Sequence, residues 1–197
     1  AGALGSVGGL GSAGALGSAG ALGSVGPLAA SLAAHARAAS PVGVRIVVLL
    51  DGRSGTGKTT LADALAERLD AQVVHLDDVY PGWDGLRAAA DAVTTDVLGP
   101  PSGYRRWDWT TSAPAGWTAV DPTLPVVVEG CGALSRTSAP MADLRVWLEA
   151  DDDERRHRAI GRDGEVFARE WDRWAAQERA FITAEDPASL ADVVIRT

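Results

Sequence analysis

Eight residues decide most of what this chain can fold into. Gly52-Arg53-Ser54-Gly55-Thr56-Gly57-Lys58-Thr59 matches G-x-x-x-x-G-K-[ST]. It stands between an aliphatic run, Val44 to Leu50, and a segment, Lys58 to Leu69, that carries Leu61, Leu65 and Leu69 at a spacing of four. The run has the texture of a strand buried on both faces of a parallel sheet. The segment predicts a helix with one apolar side. Strand, glycine turn and helix in that order build a cradle for phosphate. The glycines let successive backbone N–H groups converge on one anion, and the helix adds its positive N-terminal end. In that cradle Lys58 reaches the β and γ phosphates, and Thr59, with Thr60 as the substitute, offers a hydroxyl to Mg²⁺.

The rest of the chain repeats the alternation. Ala71 to Leu76, Pro125 to Glu129, Leu144 to Leu148 and Asp192 to Ile195 read as strands. Residues 83–98, Asp152 to Arg162 and Glu165 to Ile182 read as helices. This pattern predicts an open, doubly wound α/β parallel sheet of about five strands with helices on both faces. Ligands of such sheets lie beyond the C-terminal ends of the strands, where Asp77, Asp78 and Glu129 fall. Three carboxylates are thus expected to converge on the phosphate cradle. Asp77 is assigned as the base for an acceptor hydroxyl, with Asp78 able to exchange roles, and Glu129 is assigned to the metal, directly or through water.

Composition narrows the partners. The 197 residues carry a formal net charge of −8, which argues against nucleic acid as a partner. Of 18 basic side chains only Lys58 is a lysine. A single cysteine, Cys131, allows no internal disulfide and suits a reducing, cytoplasmic setting; it reads as a small buried hydrophobe. His35, His75 and His157 are scattered and form no metal constellation. Residues 1–26 form a Gly/Ala/Ser/Leu segment with leucine every sixth residue, expected to be a flexible tail that is neither signal nor membrane span. With Met141 as the only methionine, the start reads as processed or as that of a fragment. Residues 27–43 are expected to form a short helix, Leu28 to Ala39, and a linker, leaving 44–197 as the folded domain.

Gly52 to Thr60, His75-Leu-Asp-Asp-Val-Tyr80, Val126-Val-Val-Glu-Gly130 and Arg155 to Asp163 resemble the uridine kinase and phosphoribulokinase group of P-loop kinases. The likeness spans Arg45 to Asp163. It implies the P-loop NTPase fold, ATP and Mg²⁺ as cofactors, Asp77 as catalytic base with Tyr80 near the acceptor, and Glu129 as the acid of the third strand. It also implies a short arginine-rich lid, with Arg155 at the nucleotide and Arg158 and Arg162 at the transferred phosphate. Arg156 stands in the same stretch, and which of the four reach the nucleotide is left open. Guanine-specific GTPases carry a lysine in their base-reading motif. With no lysine beyond Lys58, a GTPase of that kind is excluded, whereas GTP as phosphate donor is not.

The insertion between the second and third strands holds the acceptor in that group, which implies Tyr104, Arg105, Arg106 and Asp108 as acceptor contacts. Trp107 and Trp109, alternating with Arg106 and Asp108, equally fit a half-buried strand. The insertion has no uridine-reading motif. Phe167, Trp171, Trp174 and Phe181 form a stripe that reads as core packing, and Glu178 on the same face pairs with an arginine or touches substrate. The expected function is transfer of the γ-phosphoryl group of ATP to a hydroxyl of a small metabolite, a nucleoside among the candidates. The alternatives are a kinase of nucleotides or other phosphometabolites, favoured if Arg105 and Arg106 bind an acceptor phosphate, and an ATP-binding regulatory or assembly module without transfer.

Overall fold

The computed structural model describes residues 25–197, so the expected tail lies outside the described residues up to position 24. The sheet has five parallel strands: β1 (Val47–Gly52), β2 (Gln72–His75), β5 (Val126–Glu129), β6 (Leu144–Glu149) and β7 (Val193–Arg196), in the spatial order β2-β5-β1-β6-β7. β1 runs between β5 and β6, with Leu50 opposite both Glu129 and Val146. This register brings the C-terminal ends of β1 and β5 to one edge, beside that of β2, where His75 pairs with Glu129.

Alternate residues of the buried strands feed two apolar layers. Val48, Leu50 and Val127 pack with α1 (Val25–Ala39) and α2 (Lys58–Leu69) on one face. Val47, Leu49, Val126 and Val128 pack on the other with α3 (Leu86–Ala92) and α4 (Asp152–Glu185). A fully aliphatic strand without polar alternation is what a sheet covered on both sides requires. α1 begins three residues earlier than the sequence predicts and buries Ala29, Leu32, Ala33 and Ala36 against α2. One face of the helix therefore belongs to the core, because its small apolar residues at helical spacing allow close packing, while residues 41–43 after it are exposed.

Two regions depart from the expectation. The helix expected over 83–98 is α only for Leu86–Ala92 and widens into a π turn at Val93–Val97. The insertion is an antiparallel hairpin, β3 (Gly103–Asp108) and β4 (Ala113–Ala119), whose second strand the sequence did not announce because Gly116 and Pro114 interrupt it. Asp152 to Ile182 forms one element broken only at Gly164, where φ 71° and ψ −158° belong to a region reached essentially by glycine alone. A four-residue α5 (Pro187–Leu190) leads into β7. No helix among the described residues is long and apolar enough to cross a membrane.

Candidate functional site

The turn from β1 to α2 curls as the motif requires. Gly55 and Gly57 hold φ of 85° and 86°, and Thr56 Oγ1 donates to the Arg53 carbonyl at 2.8 Å. The backbone of Arg155 packs directly on Gly55, so closely that a Cβ there would lie 2.0 Å from the Arg155 oxygen. Lys58 is buried, and its Nζ donates to the Arg53 carbonyl at 3.1 Å. Burial opposes its charge, but Glu129, Asp51 and Glu178 outweigh that effect and hold the ammonium above its ordinary value. Cys131 lies 3.8 Å from Lys58 Nζ. Burial pushes its thiol up to about 12, which leaves it neutral and unreactive.

A small pocket over the loop is lined by Ser54, Gly55, Gly57, Lys58 and Thr59, together with Asp77, Glu129 and Arg162. Thr60 is exposed. Thr59 Oγ1 donates to Glu129 Oε1 at 3.2 Å, and His75 Nδ1 meets the same oxygen at 2.7 Å. That hydrogen bond is the main cause raising the His75 pKa. A hydroxyl and a carboxylate side by side are hard oxygen donors, which suit Mg²⁺ completed by water and phosphate. No group of three or more His, Cys, Asp or Glu side chains able to hold a metal occurs among the described residues.

Of the two aspartates after β2, Asp77 faces the pocket and Asp78 does not line it. Asp77 keeps an open side to solvent. The surrounding protein nonetheless raises its pKa, by desolvation first and by the charge of Glu129 second, against Lys58 and Arg162. Among the lid arginines only Arg162 lines the pocket, paired with Asp163 at 2.7 Å. Arg158 is exposed and turned to Glu154 and Thr197. Arg155 is 3% exposed, beneath the loop: it binds Asp152 at 2.8 Å and the Ser54 carbonyl at 3.3 Å, and lies over the Trp171 ring. Arg53 turns away as well, to Asp152 at 2.8 Å and Glu178 at 3.1 Å.

Beside the loop opens a cavity of about 560 Å³. Tyr80, Trp83, Trp107, Trp109, Phe167 and Trp174 wall it, and it shares Ser54, Asp77 and Arg162 with the phosphate pocket. Trp83 packs on Trp109 at 4.9 Å and on Phe167 at 5.6 Å, and Tyr80 meets Trp174 edge-on at 4.7 Å. The Tyr80 hydroxyl donates to the Cys131 carbonyl at 2.9 Å, so the ring rather than the hydroxyl faces the cavity. Arg173 on the wall is paired with Asp84 and with Glu170.

The hairpin residues expected at the acceptor are not brought to this cavity. Tyr104 is buried in the core. A bulge between Arg105 and Trp107 breaks the alternation, so Arg105 and Arg106 both face solvent. Asp108 accepts the N–H groups of Thr110 and Thr111, closing the hairpin turn. The tryptophans between them take the place assigned to the charges. Phe167 and Trp174, read as core packing, serve both core and cavity wall.

Sequence reasoning missed Asp51. It is the penultimate residue of β1, is 1% exposed, and accepts the N–H groups of Gly52, Gly132 and Leu134 at 2.6, 3.1 and 2.8 Å. Burial pushes its pKa to about 7, although those bonds and Lys58 pull it down. It fixes the loop after β5 against the phosphate loop. A carboxylate ending an aliphatic strand was the available signal, the same that singled out Glu129. His75 beside Glu129 was also missed, since nothing local in sequence reports a pairing across strands.

No family model matches the chain, and no curated protein matches it. Among solved structures the chain is similar to a "putative fructose transport system kinase" from Silicibacter sp. TM1040, with 21% identity and a TM-score of 0.56 over 84% of this chain and 98% of that one. It is also similar to a "possible uridine kinase" from Bacillus stearothermophilus, with 19% identity and a TM-score of 0.57 over 86% of this chain and 98% of that one. At these identities the likeness shows a common fold, and it extends over nearly the full length of both solved chains.

Proposed function

We propose that this protein is a phosphotransferase that moves the γ-phosphoryl group of ATP to a hydroxyl of a small, unphosphorylated acceptor, a nucleoside being one candidate. One observation carries the reading. Asp77 stands where the phosphate pocket and the aromatic cavity meet, and lines both. A group in that place can accept a hydrogen bond from the acceptor hydroxyl, aim its oxygen at the phosphorus and take the proton late in transfer.

Lys58 and Arg162 are the cations available to the charge that spreads over the transferred group. Thr59 and Glu129 would hold Mg²⁺, which when bound neutralises charge on the triphosphate. Phe167 and Trp174 keep water from the cavity side, which favours transfer over hydrolysis. The outward position of Arg105 and Arg106, and the pairing of Arg173 with Asp84, weigh against a phosphorylated acceptor.

Incubation with Mg²⁺, ATP and a pool of nucleosides, sugars and vitamins alongside their monophosphates tests this, with ADP release and mass shifts as readouts. The expected result is one added phosphoryl group on an unphosphorylated member of the pool. Transfer only to monophosphates would overturn the acceptor class. Tight nucleotide binding without any product would favour a nucleotide-binding module that recruits a partner.

A further inference from the structure

α4 does more than wall the cavity. Its residues Trp174 and Glu178, one turn apart, both reach across to Ser54 of the phosphate loop, 120 and 124 residues away in sequence. Trp174 Nε1 donates to Ser54 Oγ at 3.0 Å, and Glu178 Oε1 accepts the Ser54 N–H at 2.7 Å. Glu178 is 2% exposed, and its other oxygen takes Arg53 Nε at 3.1 Å and lies 3.6 Å from Arg155. The far end of the helix is anchored by Glu185, which holds Arg87 at 2.6 Å and the Arg136 N–H at 3.0 Å.

A buried carboxylate beside an anion-binding loop is costly for that function. Its charge repels the phosphates the loop must hold, and it adds a negative group to a region that already contains Asp51 and Glu129. The compensating property is geometric. The Ser54 N–H donates to α4 and the hydroxyl beside it accepts from α4, so the helix holds the loop at this residue from two directions. Left unpaired, a partly buried N–H would favour rotation of the peptide toward another acceptor.

We propose that Glu178, together with Trp174, is a positioning pair that fixes the phosphate loop from the helix forming the acceptor wall. The pair acts through Ser54 and touches no phosphate. It rests on the donor half of the proposed function, ATP binding at this loop, and not on the acceptor.

Repulsion and positioning predict opposite signs, so ATP affinity separates them without any acceptor. Mg²⁺–ATP dissociation constants are measured by calorimetry on the full chain for wild type, Glu178→Ala, Glu178→Gln and Trp174→Phe, with thermal unfolding in parallel. Gln keeps an oxygen opposite the Ser54 N–H and loses the charge, whereas Ala loses both. The expected result is roughly tenfold weaker binding in Ala, as for one charged hydrogen bond left unmade, and affinity much nearer wild type in Gln. Trp174→Phe, which keeps an aromatic ring and removes the donor, is expected to bind ATP more weakly than wild type.

Ala and Gln binding ATP as tightly as wild type, or more tightly, would overturn the proposal, since Glu178 would then be only a counter-charge for Arg53 and Arg155. Equal weakening in both would overturn it too, by assigning the effect to charge. Should Ala fail to fold, wild-type affinity in Trp174→Phe overturns the pair. A wild type that binds no ATP overturns the donor reading and this inference with it.

Discussion

Replacing Asp77 with Asn is expected to lower turnover roughly 10²–10⁴-fold, the contribution of a positioned general base, while ATP affinity stays near wild type. Asn keeps the shape and can still meet a hydroxyl, but it cannot take the proton. Removing a carboxylate beside the phosphate pocket also removes repulsion, so any change in ATP binding should be toward tighter. The pH profile gives a second readout. The Asp77 pKa is raised by desolvation and by Glu129, and the working form is the deprotonated one. Activity therefore falls as pH drops through a value higher than that of an ordinary aspartate, and the Asn variant lacks that acid limb. Steady-state kinetics at saturating ATP across pH check both. Unchanged turnover in the variant would remove Asp77 from the role and return Asp78 to consideration.

Gly55→Ala is expected to lose ATP binding and to destabilise the fold by about 3 kcal/mol or more. Two independent costs add. The residue sits at φ 85°, where a Cβ is strained by about 1–3 kcal/mol. The same Cβ would lie 2.0 Å from the Arg155 oxygen and 2.6 Å from its carbonyl carbon. These are backbone atoms at the start of α4, so relief requires the helix and the loop to separate. That movement opens the contacts that cross from helix to loop, Arg155 with the Ser54 carbonyl and Asp152 with Arg53. For a chain of this size the loss corresponds to a fall in melting temperature of roughly 6–12 °C. Calorimetric unfolding and nucleotide titration would check it, and a variant that melts with wild type would show that α4 stands off from the loop. Gly57→Ala is the control for the unfolding measurement: Gly57 has the same hand at φ 86° but no protein atom within 4 Å of its would-be Cβ, so the backbone strain acts without the clash.

The sheet was legible because its strands are aliphatic without alternation, and only double burial explains Val126-Val127-Val128 ending in a carboxylate. The loop was legible because its function demands fixed residues at fixed spacing. Asp77 and Glu129 followed from one rule about strand ends. The acceptor side was not legible for a physical reason. Whether Arg106 or Trp107 faces inward depends on a bulge at one hairpin position, and a shift of one residue exchanges every side chain between faces. The fate of the lid arginines was hidden for a related reason. Arg155, Arg158 and Arg162 are equivalent in sequence, yet helix phase turns the second toward β7, while the other two share a face and two helical turns separate the first, under the loop, from the third, at the phosphate pocket. Glu178 was read as pairing with an arginine or touching substrate, and the structure gives it two arginines and a loop amide.

Four of the seven tryptophans of the chain, Trp83, Trp107, Trp109 and Trp174, line the cavity. Indole emission depends on the polarity and the quenchers around the ring, so the protein carries its own optical probe at the acceptor side. Compounds entering the cavity exchange water for ligand against four of the seven indoles, and the emission of the unlabelled chain responds whether or not any phosphate has moved. Occupancy can thus be screened apart from chemistry, across compounds for which no coupled assay exists.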